Sequence, residues 1–142
     1  MFYGHSFVTI DTKGRVVIPA KFREKLGEDC VLMRGFDTCV SIYPKEKFEA
    51  LKASIEKMKT SGEAYRILSR RLLGSVQEIE FDAQGRMIVS QSLREFARLK
   101  KDVHVLGTGD TIELWDKDEY ERYYESTCTG EAFAEALESL DF

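Results

Sequence analysis

Two pentapeptides, DTKGR at Asp11 to Arg15 and DAQGR at Asp82 to Arg86, repeat one arrangement of carboxylate, glycine and guanidinium. An aspartate at the head of a turn accepts hydrogen bonds from the N–H groups that follow it. A glycine later in the turn, here Gly14 or Gly85, takes the positive φ that tight loops demand. The arginine comes directly after, so a rigid bend and not a loose loop aims it. A guanidinium is planar, always charged and forked, and it matches a phosphate or the O6/N7 edge of guanine with two parallel hydrogen bonds. The chemistry open to such a site is recognition of anions or base edges. The plainer reading is an ion pair between Asp and Arg across a surface turn, which does little for stability.

Other chemistries find less support. Asp11 and Asp82 are conceivable as paired carboxylates acting as acid and base across a pseudo-twofold, as in hydrolases. The sequence, however, holds no nucleophile motif, no P-loop and no G-x-G-x-x-G, and His5 and His104 have no spacing to Cys or acidic residues that suggests a metal or a triad. Cys30, Cys39 and Cys128 are odd in number and never form C-x-x-C, so they read as small apolar residues and not as a disulfide framework or a zinc site. No enzyme activity, metal, cofactor or small-molecule substrate is expected.

The elements that hold the two turns are themselves repeated. Residues 11 to 23 (DTKGRVVIPAKFR) align without gaps at a shift of 71 on residues 82 to 94 (DAQGRMIVSQSLR). Beyond one inserted residue the shift is 72, pairing Val31 with Val103, Gly35 with Gly107, Ile42 with Leu114 and Tyr43 with Trp115. Such a correspondence marks a duplication. In each copy an extended segment, Phe7 to Ile10 or Val76 to Phe81, meets the turn and continues into an apolar strand, Val16 to Ile18 or Met87 to Val89. A short helix follows: Pro19 suits its first turn, Phe22 and Leu26 share a face, and Gly27 can end it. Two more strands complete each copy, Cys30 to Arg34 with Thr38 to Tyr43, and Val103 to Leu106 with Thr111 to Trp115.

The fold class read from this pattern is mainly β with helices (α+β), two tandem β-β-α-β-β modules at residues 5–47 and 76–119. Four short strands and one helix cannot cover both sheet faces, so the modules are expected to close on each other in one barrel-like, pseudo-twofold core. A linker at 48–75 reads as two helices broken near Ser61-Gly62, and an acidic segment at 120–142 carries apolar stripes, Tyr120 to Tyr124 and Phe133, Leu137 and Leu140, for which packing on the monomer's core is the first expectation and contact with another subunit the alternative. In copy two Ser90 and Gln91 replace the proline-led helix start, which predicts that Arg86 is held less rigidly than Arg15.

The net charge of -4 is unevenly spread: residues 1–109 hold 19 Lys and Arg against 14 Asp and Glu, and residues 110–142 hold 2 against 11. A basic body with an acidic tail is compatible with nucleic-acid binding, although an acidic helical face in solvent would look the same. No apolar run approaches the ~18 residues of a membrane span, and the first residues lack the pattern of a signal peptide, so a cytoplasmic protein is expected.

The opening MFYGHSFVTIDTKGRVVIPAKFRE and the paired D-x-x-x-R motifs, Asp11 with Arg15 and Asp82 with Arg86, resemble the MraZ family, within the AbrB-like (SpoVT-AbrB) swapped-hairpin DNA-binding proteins. The resemblance covers nearly the whole chain. It implies a double-split β-barrel with both halves in one chain, assembly into a closed homo-oligomeric ring, and association with the nucleoid. It further implies regulation of a bacterial cell-division and cell-wall gene cluster, including the regulator's own gene, through short direct repeats in double-stranded DNA. On that basis Arg15 and Arg86 face DNA, and Asp11 and Asp82 shape the turns. Lys13, Lys21, Arg23 and Arg94 stand close enough in sequence to supply phosphate contacts, which set register and salt dependence but carry no sequence information. An AbrB-like antitoxin or a protein-interaction scaffold using the acidic tail is the alternative.

Overall fold

The structure, a computed structural model, describes all residues from Met1 to Phe142. The first copy contains β1 (His5–Thr9), β2 (Arg15–Val17), α1 (Ala20–Leu26), β3 (Val31–Arg34) and β4 (Val40–Tyr43). Two linker helices, α2 (Lys45–Glu56) and α3 (Glu63–Arg71), and a 3-10 turn at Leu73–Ser75 lead to the second copy. That copy contains β5 (Gln77–Glu78), β6 (Arg86–Ile88), α4 (Gln91–Ala97), β7 (Asp102–Gly107) and β8 (Ile112–Asp116), and the chain ends with α5 (Lys117–Thr127) and α6 (Gly130–Glu138). The β-β-α-β-β order is thus present twice.

The copies exchange strands. A six-stranded antiparallel sheet runs β1-β7-β8-β4-β3-β5, so the first strand of each copy pairs with the third strand of the other. Strands β2 and β6 leave that sheet and pair with each other as a two-stranded ribbon. In the ribbon Val16 faces Met87, its own equivalent in the repeat; in the sheet Ser41 faces its equivalent Glu113. Both ladders are therefore centred on the pseudo-twofold relating the copies. The hydrogen bonding does not close into a cylinder: β1 and β5 are sheet edges, and the ribbon packs across the sheet, linked to it by the Ile10 to Val16 bridge.

One core fills the space between ribbon and sheet. Copy one supplies Val16, Ile18, Phe22, Leu32 and Ile42, and copy two supplies Met87, Val89, Leu93, Val105 and Leu114. Neither half could bury these side chains alone, which makes the halves interdependent. The opposite face of β3 and β4 carries Val31, Met33 and Tyr43, and these are covered by Ile55 and Leu72 of the linker region, with Phe48, Leu51, Tyr65 and Leu68 around them. Covered on both faces, β4 is buried at every position. The linker forms two helices with the break at Gly62, which caps α3. Cys30 and Cys39 are buried thiols, and burial raises the pKa of both.

Three local expectations need correction. The extended segment expected from Val76 to Phe81 enters the sheet only at Gln77 and Glu78. The 3-10 turn ends directly before it and engages the Val76 N–H on Leu73 O, while Ser75 Oγ accepts from Arg34 N and ends the ladder at that side. Pro19 stands at the N-cap of α1 and not inside its first turn. The apolar stripe of α6 does not pack on the core: Phe133 and Leu137, with Leu140 just beyond the helix, are 53%, 45% and 57% exposed. The Tyr120 to Tyr124 stripe divides instead. Tyr120 meets Trp115 edge-to-face at 5.3 Å and Tyr123 lies tilted against it at 4.8 Å between ring centroids, and Tyr124 stays exposed. No helix is long and apolar enough to cross a membrane.

Candidate nucleic-acid interface

Each turn is organised around its aspartate. Asp11 Oδ1 accepts from Lys13 N at 3.0 Å and Arg15 N at 2.9 Å, and Oδ2 accepts from Arg15 Nε at 2.6 Å. Asp82 repeats this with Gln84 N at 2.9 Å, Arg86 N at 2.9 Å and Arg86 Nε at 2.8 Å. The glycine N–H donates to the aspartate carbonyl in both, Gly14 to Asp11 and Gly85 to Asp82. These bonds, the Arg N–H first, hold both carboxyls below the usual aspartate range. A carboxylate held ionised in this way is a poor general acid, which counts against the hydrolase-like pair.

The ion pair uses only one corner of each guanidinium. The Nε of Arg15 and of Arg86 is bound to Asp, whereas their Nη groups make no hydrogen bond within the chain and both side chains are partly exposed. The carboxylate therefore fixes the plane of the fork and leaves its end free. Strand alternation turns Val16 and Met87 into the core, so Arg15 and Arg86 stand on the outward face of the ribbon.

Arg23 and Arg94, expected among phosphate contacts, are turned toward backbone carbonyls. Arg23 Nη1 donates to Ile18 O at 2.8 Å, and its guanidinium lies over Gly85, the turn glycine of the other copy. Arg94 Nε donates to Val89 O at 3.0 Å and Nη1 to Thr12 O at 3.3 Å, and the side chain lies over Gly14. The turn backbones cross over as well: Val89 N donates to Gly14 O at 2.8 Å and Ile18 N to Gly85 O at 3.3 Å. Each turn is thus supported by the helix start of the opposite copy. Glycine is needed twice over, since φ is +85° at Gly14 and +75° at Gly85 and a Cβ would collide with these supports.

Lys13 is exposed at the tip of the first turn. Lys21 folds back, with Nζ 3.4 Å from His5 O and 4.9 Å from the Phe22 ring centroid. Their equivalents in copy two are Gln84 and Ser92, so the first turn carries more positive charge.

Other contacts hold the helix start where copy two lacks the proline. Ser90 Oγ caps α4 by accepting from Leu93 N at 3.3 Å. Gln77 clamps the strand end by accepting from Ser90 N at 2.9 Å and donating to Ile88 O at 2.7 Å. A serine cap and a glutamine clamp, both within copy two, stand where copy one has the proline, whereas the cross-copy placement of Arg23 and Arg94 follows from which strands exchange.

Comparison with known proteins agrees with the duplication. A family model described as "MraZ protein, putative antitoxin-like" matches twice, over residues 1–71 and 72–140. The chain is similar to proteins named "Transcriptional regulator MraZ" from Thermoanaerobacter sp. (40% identity, 99% of this chain and 97% of that protein) and Acetivibrio thermocellus (38%, 99% of each). A third, from Finegoldia magna, is 36% identical over 99% of each chain. With the family model matching both halves and these relatives aligning end to end, the chain belongs to the MraZ family.

Proposed function

We propose that this protein is a sequence-specific, double-stranded-DNA-binding transcriptional regulator, and that the β2–β6 ribbon is its reading surface. The observation that carries the proposal is the state of the two arginines. Each has Nε pinned to an aspartate while its Nη end faces outward without a partner. A two-stranded ribbon fits the major groove, and an end-on guanidinium reaches guanine O6 and N7 there. Arg15 and Arg86 read bases, Lys13 and Lys21 contact phosphates, and Arg23 and Arg94 hold the turns from behind. Asp11, Gly14, Asp82 and Gly85 shape them.

The relatives' name supports the regulatory role, and the family resemblance supports the finer points: short direct repeats upstream of a cell-division and cell-wall cluster that includes the protein's own gene, association with the nucleoid, and a ring-shaped homo-oligomer. Repeated subunits and repeated sites suit each other, because linking weak contacts multiplies affinity through effective concentration. The exposed apolar stripe of α6 is a surface such self-association can use.

The test is a footprint on the DNA upstream of the protein's own gene, with wild type, Arg15→Ala and Arg86→Ala, over a salt series. Evenly spaced protection is expected, weakened by about fivefold or more per arginine lost, the weight of one good bidentate contact. Unchanged affinity and salt slope in a folded Arg15→Ala protein would reject the reading in favour of an antitoxin-like or scaffolding chain.

A further inference from the structure

The outward face of the ribbon carries more than its arginines. Alternation places Val17 and Ile88 beside them: Arg15 is directly opposite Ile88, and Arg86 directly opposite Val17. Val17 is 44% exposed and Ile88 56%, although each is flanked by well-buried neighbours in its strand. Neither of these two branched aliphatic side chains belongs to the core beneath. The position is aliphatic in both copies and its outward neighbour is arginine in both, whereas the positions flanking this pair differ, Lys13 against Gln84 and Pro19 against Ser90.

The partner that fits this face must offer two kinds of group in alternation. Toward each free Nη end it must present acceptors, and toward each aliphatic side chain an apolar spot about 5 Å away across the ribbon or about 7 Å away along a strand. The floor of the major groove does this. Guanine supplies paired acceptors, thymine supplies a C5-methyl group, and 7 Å is about two base-pair steps at ~3.4 Å each. A protein partner would have to match both free cations with carboxylates and both aliphatics with pockets, in the same pseudo-twofold pattern.

We propose that Val17 and Ile88 contact thymine methyl groups next to the guanines engaged by Arg15 and Arg86, so that the ribbon selects G and T together. The assignment rests on the DNA-binding reading above.

The test starts from duplexes enriched by the full-length wild-type protein out of a random-sequence pool. Each thymine of an enriched duplex is replaced singly by deoxyuridine, which removes the methyl group and keeps every hydrogen-bonding atom. For wild type, loss of a methyl within about two base pairs of an arginine-dependent guanine is expected to weaken binding about fourfold, the value of one buried methyl-sized group. The Val17→Ala/Ile88→Ala protein should bind the thymine and deoxyuridine duplexes alike. Because the deoxyuridine scan on wild type needs no variant, a folding defect in the double mutant cannot mask the answer. Deoxyuridine tolerated at every position, with Arg15→Ala still weakening binding, overturns the methyl contact and leaves the DNA reading standing. A double mutant that keeps the wild-type methyl dependence but changes subunit association overturns it in favour of a protein contact. Failure to enrich any duplex removes the DNA reading and this inference together.

Discussion

The Arg23 guanidinium occupies the space where a side chain on Gly85 would stand, although the two residues belong to opposite copies of the repeat. Arg94 and Gly14 form the reciprocal pair, with one difference: at Gly14 the nearest obstacle to a Cβ is the Val89 carbonyl, at 2.5 Å, ahead of Arg94. Backbone cannot yield as a side chain can. Gly85→Ala and Gly14→Ala should both destabilise the fold, by about 1–3 kcal/mol from the positive φ alone. Adding Arg23→Ala should relieve the clash at Gly85, so the double mutant is less destabilised than the sum of the singles. Adding Arg94→Ala to Gly14→Ala should relieve much less. Denaturant unfolding of the two cycles measures this, and equal coupling in both would contradict the geometry.

The aspartates predict a pH dependence of definite sign. Their folded pKa values lie below the ordinary 3.8, so the stability they lend is fully present above the unfolded value and is lost as pH falls through the lowered one. The turns should therefore keep their form down to pH values where an ordinary aspartate is already half protonated. Carboxyl carbon shifts followed by NMR should titrate below 3.8 for both Asp11 and Asp82. A midpoint at or above that value in either would mean the bonds to the Arg N–H and Nε are not kept in solution.

Much of this architecture is legible in the sequence because the repeat carries its own register. Asp11, Gly14 and Arg15 recur at Asp82, Gly85 and Arg86, and the shifts of 71 and 72 already state which residues face each other across the pseudo-twofold. What periodicity does not carry is which copy a strand pairs with. Swapped and unswapped hairpins bury the same apolar faces, so nothing in a local pattern says that Arg23 supports Gly85 or that Arg94 supports Gly14. Proximity in sequence suggests phosphate contacts for Arg23 and Arg94, yet each guanidinium donates to the carbonyl five residues before it, Ile18 O and Val89 O. The fate of α6 is hidden for a related reason: Phe133 and Leu137 share a helical face whether or not anything within the chain covers it.

Ser90 supplies a direct check on how copy two begins its helix. Removing the cap by Ser90→Ala leaves the Leu93 N–H without its partner and should cost about 1 kcal/mol. The effect should appear as a lower denaturation midpoint with an unchanged slope. No change at all would show that the helix start is held by Gln77 alone.

The two turns differ in charge, and salt titration can detect that. Lys13 stands free at the first turn where the second has Gln84. If Lys13 neutralises one phosphate, Lys13→Gln should lower the slope of log affinity against log salt by about 0.9 per binding subunit, with no change in base preference. Altered base preference would move Lys13 from phosphate to base contact.

The tail separates folding from assembly. Helix α6 buries no residue, so a chain ending at Thr127 should melt with the cooperativity and midpoint of the full protein's core, provided both are compared as monomers. Its exposed Phe133 and Leu137 nevertheless share one face, with exposed Leu140 just beyond the helix end, and apolar surface of that kind is retained in a folded protein chiefly where another chain covers it. Sedimentation of the truncated chain should therefore give a smaller assembly than the full chain at equal concentration, with the affinity for a single DNA repeat nearly preserved and the affinity for an array of repeats reduced. An undiminished assembly would place the subunit contact elsewhere, leaving the sheet edges β1 and β5 as the surfaces to examine next.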